Sequence, residues 1–225
     1  MPTAQEIVAH AQRWELLRKR RAKETQRSVF RVDGHYVVKK FEIPLDMRSY
    51  RRPWLAEDAC LRRLDGHGAP RSFGWFEETE ADQRVVWLVK EFVAGEPVET
   101  FAAADLPAAA RLLARIHERL LITDDASAGN FIRTRDGELR FLDFGRAQLF
   151  RRPGLWFDLH VGWELAKFRR EGFRWDDELW QAFIPLYVEA RGGARLRRAR
   201  ILAAASVSVA LRMTRKFFQG KSTRS

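Results

Sequence analysis

The spacing of apolar and polar positions changes character along the chain. Between Ala4 and Glu24 the apolar residues Ile7, Val8, Ala11, Trp14, Leu17 and Ala22 recur at roughly helical spacing, which predicts an amphipathic helix with a basic tail, Arg18–Lys23. Ser28–Val32 and His35–Phe41 alternate with a period of two around Asp33-Gly34, a strong hairpin signal. Pro53 can open a helix over Trp54–Leu64, and the breakers in Asp65–Pro70 end it. Phe73–Glu77 and Arg84–Phe92 follow as strands, the second nearly all apolar over Val85–Val89, as a central strand requires. After Gly95 the period turns helical. Leu106–Leu120, Trp156–Phe168, Glu178–Arg191 and Ala194–Phe218 are predicted helices, with short strands at Leu121–Thr123, Asn130–Arg133 and Leu139–Asp143. The pattern predicts an α+β chain, sheet first and helices second.

A chain of 225 residues suits one domain, or two lobes sharing a cleft. Its net charge of +11 comes mostly from arginine, clustered at Arg18–Lys23, Arg48–Arg52 and Arg195–Arg200. Such an excess favours an anionic partner, whether nucleic acid, a phosphorylated glycolipid or a membrane surface. The single cysteine, Cys60, cannot form an internal disulfide, and its apolar helical setting predicts burial. Ala4–Lys23 carries no basic-then-apolar leader pattern, and the longest apolar run, Ile201–Leu211, is short for a bilayer. The expectation is a cytoplasmic protein, peripheral at the inner face of a membrane.

Candidate chemistry concentrates in Ile122–Gly145, where Asp124 and Asp125 precede Asn130, and Asp143-Phe144-Gly145 closes a short hairpin. Phosphoryl transfer from ATP uses an Asp to take the acceptor hydroxyl's proton, plus an Asn and an Asp to hold Mg²⁺. Upstream, Val37 and Lys39 share a strand face because side chains alternate. A solvated strand lysine would look the same in isolation, as would a surface carboxylate at Glu57 on the following helix. Leu88–Gly95 reads as a buried strand running into an extended, Gly-terminated segment.

Taken in order, these features resemble the protein-kinase-like fold, with a β-rich N-lobe over a shortened helical C-lobe. IHERLLITDDASAGNFI is similar to the kinase catalytic-loop segment, which puts Asp125 on the catalytic aspartate and Asn130 on the metal-binding asparagine. Asp143, thirteen residues after Asn130, falls on the second metal ligand. The resemblance implies a single kinase-like domain over 1–225, with an N-terminal helix at 1–24, an N-lobe at 25–93 and a C-lobe at 94–225. It also implies ATP beneath Val37 and along Glu91–Val93, with Lys39 on the phosphates and Glu57 orienting Lys39. Asp158, in LWFDLHVGW, resembles the buried aspartate that ties down the catalytic-loop backbone.

Departures narrow the kind of kinase. Thr123-Asp124 replace His-Arg before the catalytic position, Lys90 occupies the gatekeeper position, and no GxGxxG loop precedes Lys39. Phosphate covering must then come from Arg31–His35 or from basic side chains. Only twelve residues separate Gly145 from Asp158, too few for an activation loop and a peptide platform. The chain looks most like the small lipopolysaccharide-core kinases of the Kdo/WaaP group, related to RIO-type kinases. That likeness implies phosphorylation of a heptose or Kdo hydroxyl on lipid A-core, an anionic glycolipid, rather than a nucleic-acid partner. A RIO-like protein Ser/Thr kinase and a pseudokinase scaffold are the competing readings. The terminal helix Ala194–Phe218 lies on a membrane or packs on the C-lobe with a basic outer face.

Overall fold

The computed structural model describes residues 1–22, 25–47, 50–192, 201 and 203. Helix α1 (Ala4–His10) is started by Thr3, whose hydroxyl accepts from the Glu6 amide while the Glu6 carboxylate accepts from the Thr3 amide. The helix expected over Ala4–Glu24 stops there. The Asp33 carboxylate accepts from the backbone of Arg13 at 2.8 Å and Gln12 at 3.2 Å and pulls the chain away. Trp14–Ala22 is instead strand β1, paired antiparallel with β2 (Thr25–Val32) from Trp14 opposite Val32 to Ala22 opposite Thr25. Trp14 packs edge-on against Phe30 and Trp87 at 5.3 and 5.9 Å. A cross-strand partner therefore overrides a weak helical period. Strand β1 showed no alternation of its own because it is an edge strand with Leu16, Leu17 and its arginines exposed.

The remaining N-lobe elements match the expected pattern. β3 (Tyr36–Pro44) completes the hairpin, α2 (Pro53–Leu64) follows, and β4 (Ser72–Glu80) and β5 (Gln83–Glu91) close an antiparallel sheet of order β1-β2-β3-β5-β4. One face carries Val32, Val38, Val85, Trp87 and Val89 and is covered by Ala4 and Ile7 of α1. The other carries Phe41, Ile43, Val86 and Leu88 against Trp54 of α2. Lys39, Lys90 and Val37 belong to this second face, which is why charged groups come to lie beneath the sheet beside α2.

β6 (Glu96–Pro97) leads into the C-lobe by pairing with β8 (Phe131–Arg133), which pairs in turn with β9 (Leu139–Phe141). At Gly95 the two backbones touch: a Cβ there would stand 2.3 Å from the Arg133 carbonyl oxygen, so only glycine lets the linker pass. Helices α3 (Leu106–Glu118), α4 (Leu155–Glu171) and α5 (Asp177–Arg191) enclose an aromatic core. Phe101, Phe131, Phe141, Phe168 and Phe183 meet there at centroid distances of 5.1–5.8 Å. Each such ring, fully buried, contributes roughly 1.5–3 kcal/mol. Phe144 joins the same core through Phe141, at 4.9 Å, which anchors the turn that follows Asp143. The chain is thus α+β and two-lobed, as expected. The helix expected at Ala194–Phe218 lies outside the described residues apart from Ile201 and Ala203, both helical. Among the described residues no helix is long and apolar enough to cross a membrane.

Candidate active site

Between the lobes lies a compact set of charges. Glu57 of α2 accepts from Lys39 Nζ at 2.6 and 2.7 Å and from Lys90 Nζ at 2.7 Å. All three residues are at most 3% exposed. Lys39 also reaches Asp143 Oδ1 at 3.1 Å, Lys90 donates to the Leu142 carbonyl at 2.5 Å, and Arg27 of β2 donates to Asp143 Oδ2 at 3.3 Å. Burial pushes the Lys39 ammonium down to about 8, against the pull of Glu57 and Asp143. Burial alone would raise the carboxyls of Glu57 and Asp143. The cations of Lys39 and Lys90 outweigh it at Glu57, and Lys39, Arg27 and Lys90 do so at Asp143, so both sit below the ordinary carboxylate range. The expected lysine–glutamate pair therefore exists, and the lysine at the gatekeeper position doubles it.

The catalytic-loop segment hangs from β7 (Leu121–Ile122), which pairs with β10 (Gln148–Leu149). Asp124 adopts φ 51°, a conformation a non-glycine residue holds only when its surroundings impose it. They do. Glu164 of α4 accepts from the amides of Thr123 at 2.8 Å and Asp124 at 3.1 Å and from the Thr123 hydroxyl, and Lys167 Nζ donates to the Asp124 carbonyl at 2.5 Å. A carboxylate only accepts, so His117 Nε2–H donates to Glu164 at 2.7 Å, leaving Nδ1 to accept from the Tyr187 hydroxyl at 2.7 Å. Burial lowers the His117 pKa, keeping the ring in this neutral bridging form.

Glu164, six residues beyond Asp158 on the same helix, thus ties down this loop. Asp158 is buried in the first turn of α4, at the other end of that stretch. The expectation for Asp158 came from the resemblance of LWFDLHVGW to the kinase helix that carries a buried aspartate. The 164/167 pair shares a helix face, and that i, i+3 spacing was the available signal.

The strained turn separates the two neighbouring aspartates. Asp124 faces Arg146, 3.9 Å from its guanidinium, whereas Asp125 opens onto the interlobe cleft with Asn130 and Asp143. Lys167 Nζ is also 3.7 Å from Asp125 Oδ1, so one ammonium holds both the backbone and the carboxylate of this turn. Asn130 Nδ2 donates to the Asp125 carbonyl at 2.7 Å and to Ser127 Oγ at 3.2 Å, which turns its amide oxygen away from the loop.

The cleft measures about 640 Å³, and its walls carry Arg18, Arg20, Arg27, Arg51 and Arg146. Arg18 and Arg20 come from β1, where alternation aims them at the same face as Arg27 and Lys39. Strands β1 and β2 contribute Arg18, Arg20, Arg27 and Val29 to the cleft wall. The Arg31–His35 turn lies at the opposite end, where the His35 carbonyl accepts from Phe92 and the Arg31 guanidinium stacks on the Phe92 ring at 4.2 Å. Basic side chains, not that turn, line the cleft.

Val37, Glu91 and Val93 do not line this cleft. Val37 lies opposite Lys90 on the sheet, while Glu91 and Val93 border a separate 370 Å³ pocket with Thr134, Asp136 and Arg140.

Residues 17–192 match the sequence model of the phosphotransferase enzyme family (APH). The chain belongs to that family. This is a kinase-like phosphotransferase family, and phosphoryl transfer needs cationic stabilisation of the phosphates, which a cluster of this kind could offer. No curated protein matches the chain. Within the phosphotransferase frame, Asn130 and Asp143 offer an amide oxygen and a carboxylate, a hard oxygen donor pair suited to Mg²⁺. Among the described residues no three His, Cys, Asp or Glu side chains cluster as a self-sufficient metal cage.

Proposed function

We propose that this phosphotransferase moves the γ-phosphoryl group of ATP onto a sugar hydroxyl of an anionic glycolipid, a heptose or Kdo of the lipopolysaccharide inner core. The observation that carries this reading is the arginine lining. Five arginines lining the same cleft as Asp125 exceed what one triphosphate needs, and they suit an acceptor that already bears phosphates and carboxylates. The short chain from Gly145 to the start of α4 at Leu155 forms only the two-residue β10, which leaves no ledge for an extended peptide.

In this mechanism Asp125 accepts a hydrogen bond from the acceptor hydroxyl and takes its proton as the new bond forms. Lys167 fixes the Asp125 carboxylate, and Glu164 fixes the backbone that carries it. Lys39, oriented by Glu57, and Arg27 hold the transferred and leaving phosphates at the β1–β2 end. The adenine lies beneath Val37 and along Glu91–Val93, of which Glu91 and Val93 border the separate 370 Å³ pocket and not the arginine-lined cleft. Asn130 and Asp143 would hold Mg²⁺, which would supply charge neutralisation on the phosphates. The reaction takes place at the cytoplasmic face of the inner membrane.

Mass spectrometry of core lipopolysaccharide from cells with and without an active copy tests the reading. The expected result is the loss of one phosphate from a core sugar. An unchanged core overturns the acceptor, and labelled phosphate on a protein would favour a protein kinase instead.

A further inference from the structure

A second feature of α4 has no role in the chemistry above. Phe157, Val161, Leu165 and Phe168 bury one side of the helix, and the other side is aromatic and open to solvent. Trp156 is 62% exposed and Trp163 is 47% exposed, with the His160 ring between them at 4.7 and 5.1 Å. Leu155, 57% exposed, stands beside Trp156. The run into the helix, Arg151-Arg152-Pro153-Gly154-Leu155-Trp156, is exposed throughout. Phe150 fixes the start of that run against the stripe, its ring 5.2 Å from His160.

We propose that this face of α4, with Arg151 and Arg152, docks on an anionic phospholipid bilayer. Tryptophan suits the bilayer interface because the ring is apolar and its N–H keeps a polar partner. Adjacent guanidinium groups fit lipid phosphates, and a net charge of +11 attracts the whole chain to a negative surface. Two arginines placed next to leucine and tryptophan are the pairing that an anionic interface satisfies at both levels at once. A purely apolar partner would leave the guanidinium groups unpaired.

The stripe also points at the active site. Residues 156, 160, 163 and 167 share one helix face, so Lys167 lies one turn beyond Trp163, where it holds the Asp124 carbonyl and the Asp125 carboxylate. Docking along this face would set the cleft beside the bilayer surface, within reach of a headgroup-borne hydroxyl. That consequence rests on the proposed acceptor. The docking itself does not.

Co-sedimentation with neutral phosphatidylcholine vesicles and with vesicles containing phosphatidylglycerol tests it, without ATP or acceptor. The full chain should bind the anionic vesicles. Trp156→Ala/Trp163→Ala and Arg151→Glu/Arg152→Glu should each weaken that binding roughly tenfold or more, while Trp75→Ala on β4 should leave it unchanged. The arginine pair sits in an exposed loop, so it keeps the test valid if the tryptophan variant fails to fold. Failure of the wild-type chain to bind, or equal binding by the arginine variant, overturns the proposal. So does a wild-type dimer in light scattering that Trp156→Ala/Trp163→Ala dissolves, which would assign the face to a second copy. Loss of vesicle binding with phosphotransfer to a soluble acceptor retained would separate docking from catalysis.

Discussion

Glu57→Gln is the perturbation whose consequence the structure specifies most fully. One carboxylate, 1% exposed, neutralises two buried ammonium groups at 2.6–2.7 Å. Removing one partner of a buried ion pair costs about 3–5 kcal/mol, because the survivor is left buried and uncompensated. Here there are two survivors, but Lys39 keeps Asp143 at 3.1 Å and Lys90 keeps the Leu142 carbonyl at 2.5 Å. The low end of that range, about 3 kcal/mol, follows, out of a total stability of about 5–15 kcal/mol. For a chain of this size it corresponds to a fall in Tm of roughly 6–12 °C.

Urea denaturation should show a lower midpoint at unchanged slope. The pH dependence has a definite sign. A buried lysine whose folded pKa lies below its unfolded value near 10.5 costs stability at low pH, and that cost disappears as pH rises toward the unfolded value. The deficit of Glu57→Gln should therefore shrink with rising pH. Adding Lys90→Met should recover part of the loss, since one cation then remains and retains Asp143. A loss below about 1 kcal/mol, or further destabilisation by Lys90→Met in that background, would refute the shared-carboxylate account.

Other outcomes follow from the same geometry. With its ammonium pushed down to about 8, Lys39 should give ATP affinity a one-proton profile, level below that pH and falling above it, in a fluorescent-nucleotide titration; Lys39→Met should flatten the profile. Lys167→Met should lower kcat by roughly 10- to 100-fold with ATP affinity unchanged, because the lysine touches the catalytic loop and no proposed nucleotide contact; equal losses in both would mark it as purely structural. Cys60, with no exposed surface and a thiol that burial raises to about 12, should resist a thiol reagent in the native state and react only on unfolding.

The hairpin at Asp33-Gly34, the helix after Pro53 and the central strand Val85–Val89 were legible because each lies in one environment and its period records it. The loop aspartate and its asparagine were legible for a related reason. Their mutual placement depends on local spacing, and the Asn130 amide reaches the Asp125 carbonyl at 2.7 Å. The β1 strand was not legible. It is an edge strand whose outward positions are arginines, and its identity depends on a partner strand that no local pattern reveals.

Missing β1 hid the placement of Arg18 and Arg20, and with it the basic wall of the cleft. Glu164 and Lys167 escaped because their targets lie about forty residues upstream, and a helix period reports which residues share a face but not what that face meets. Asp158 was singled out by resemblance, whereas the tie that Glu164 makes to the loop from the same helix left no local pattern that showed its target.

The account stands on phosphoryl transfer in an arginine-lined cleft with Asp125 as the base. Incubating the purified chain with γ-labelled ATP, Mg²⁺ and deacylated core oligosaccharide, and repeating this with Asp125→Asn, tests that claim directly. The account predicts one labelled phosphate on a core sugar with the wild-type chain and a loss of at least about a hundredfold in Asp125→Asn. Turnover in Asp125→Asn equal to the wild type, or label that never leaves the protein, would contradict it.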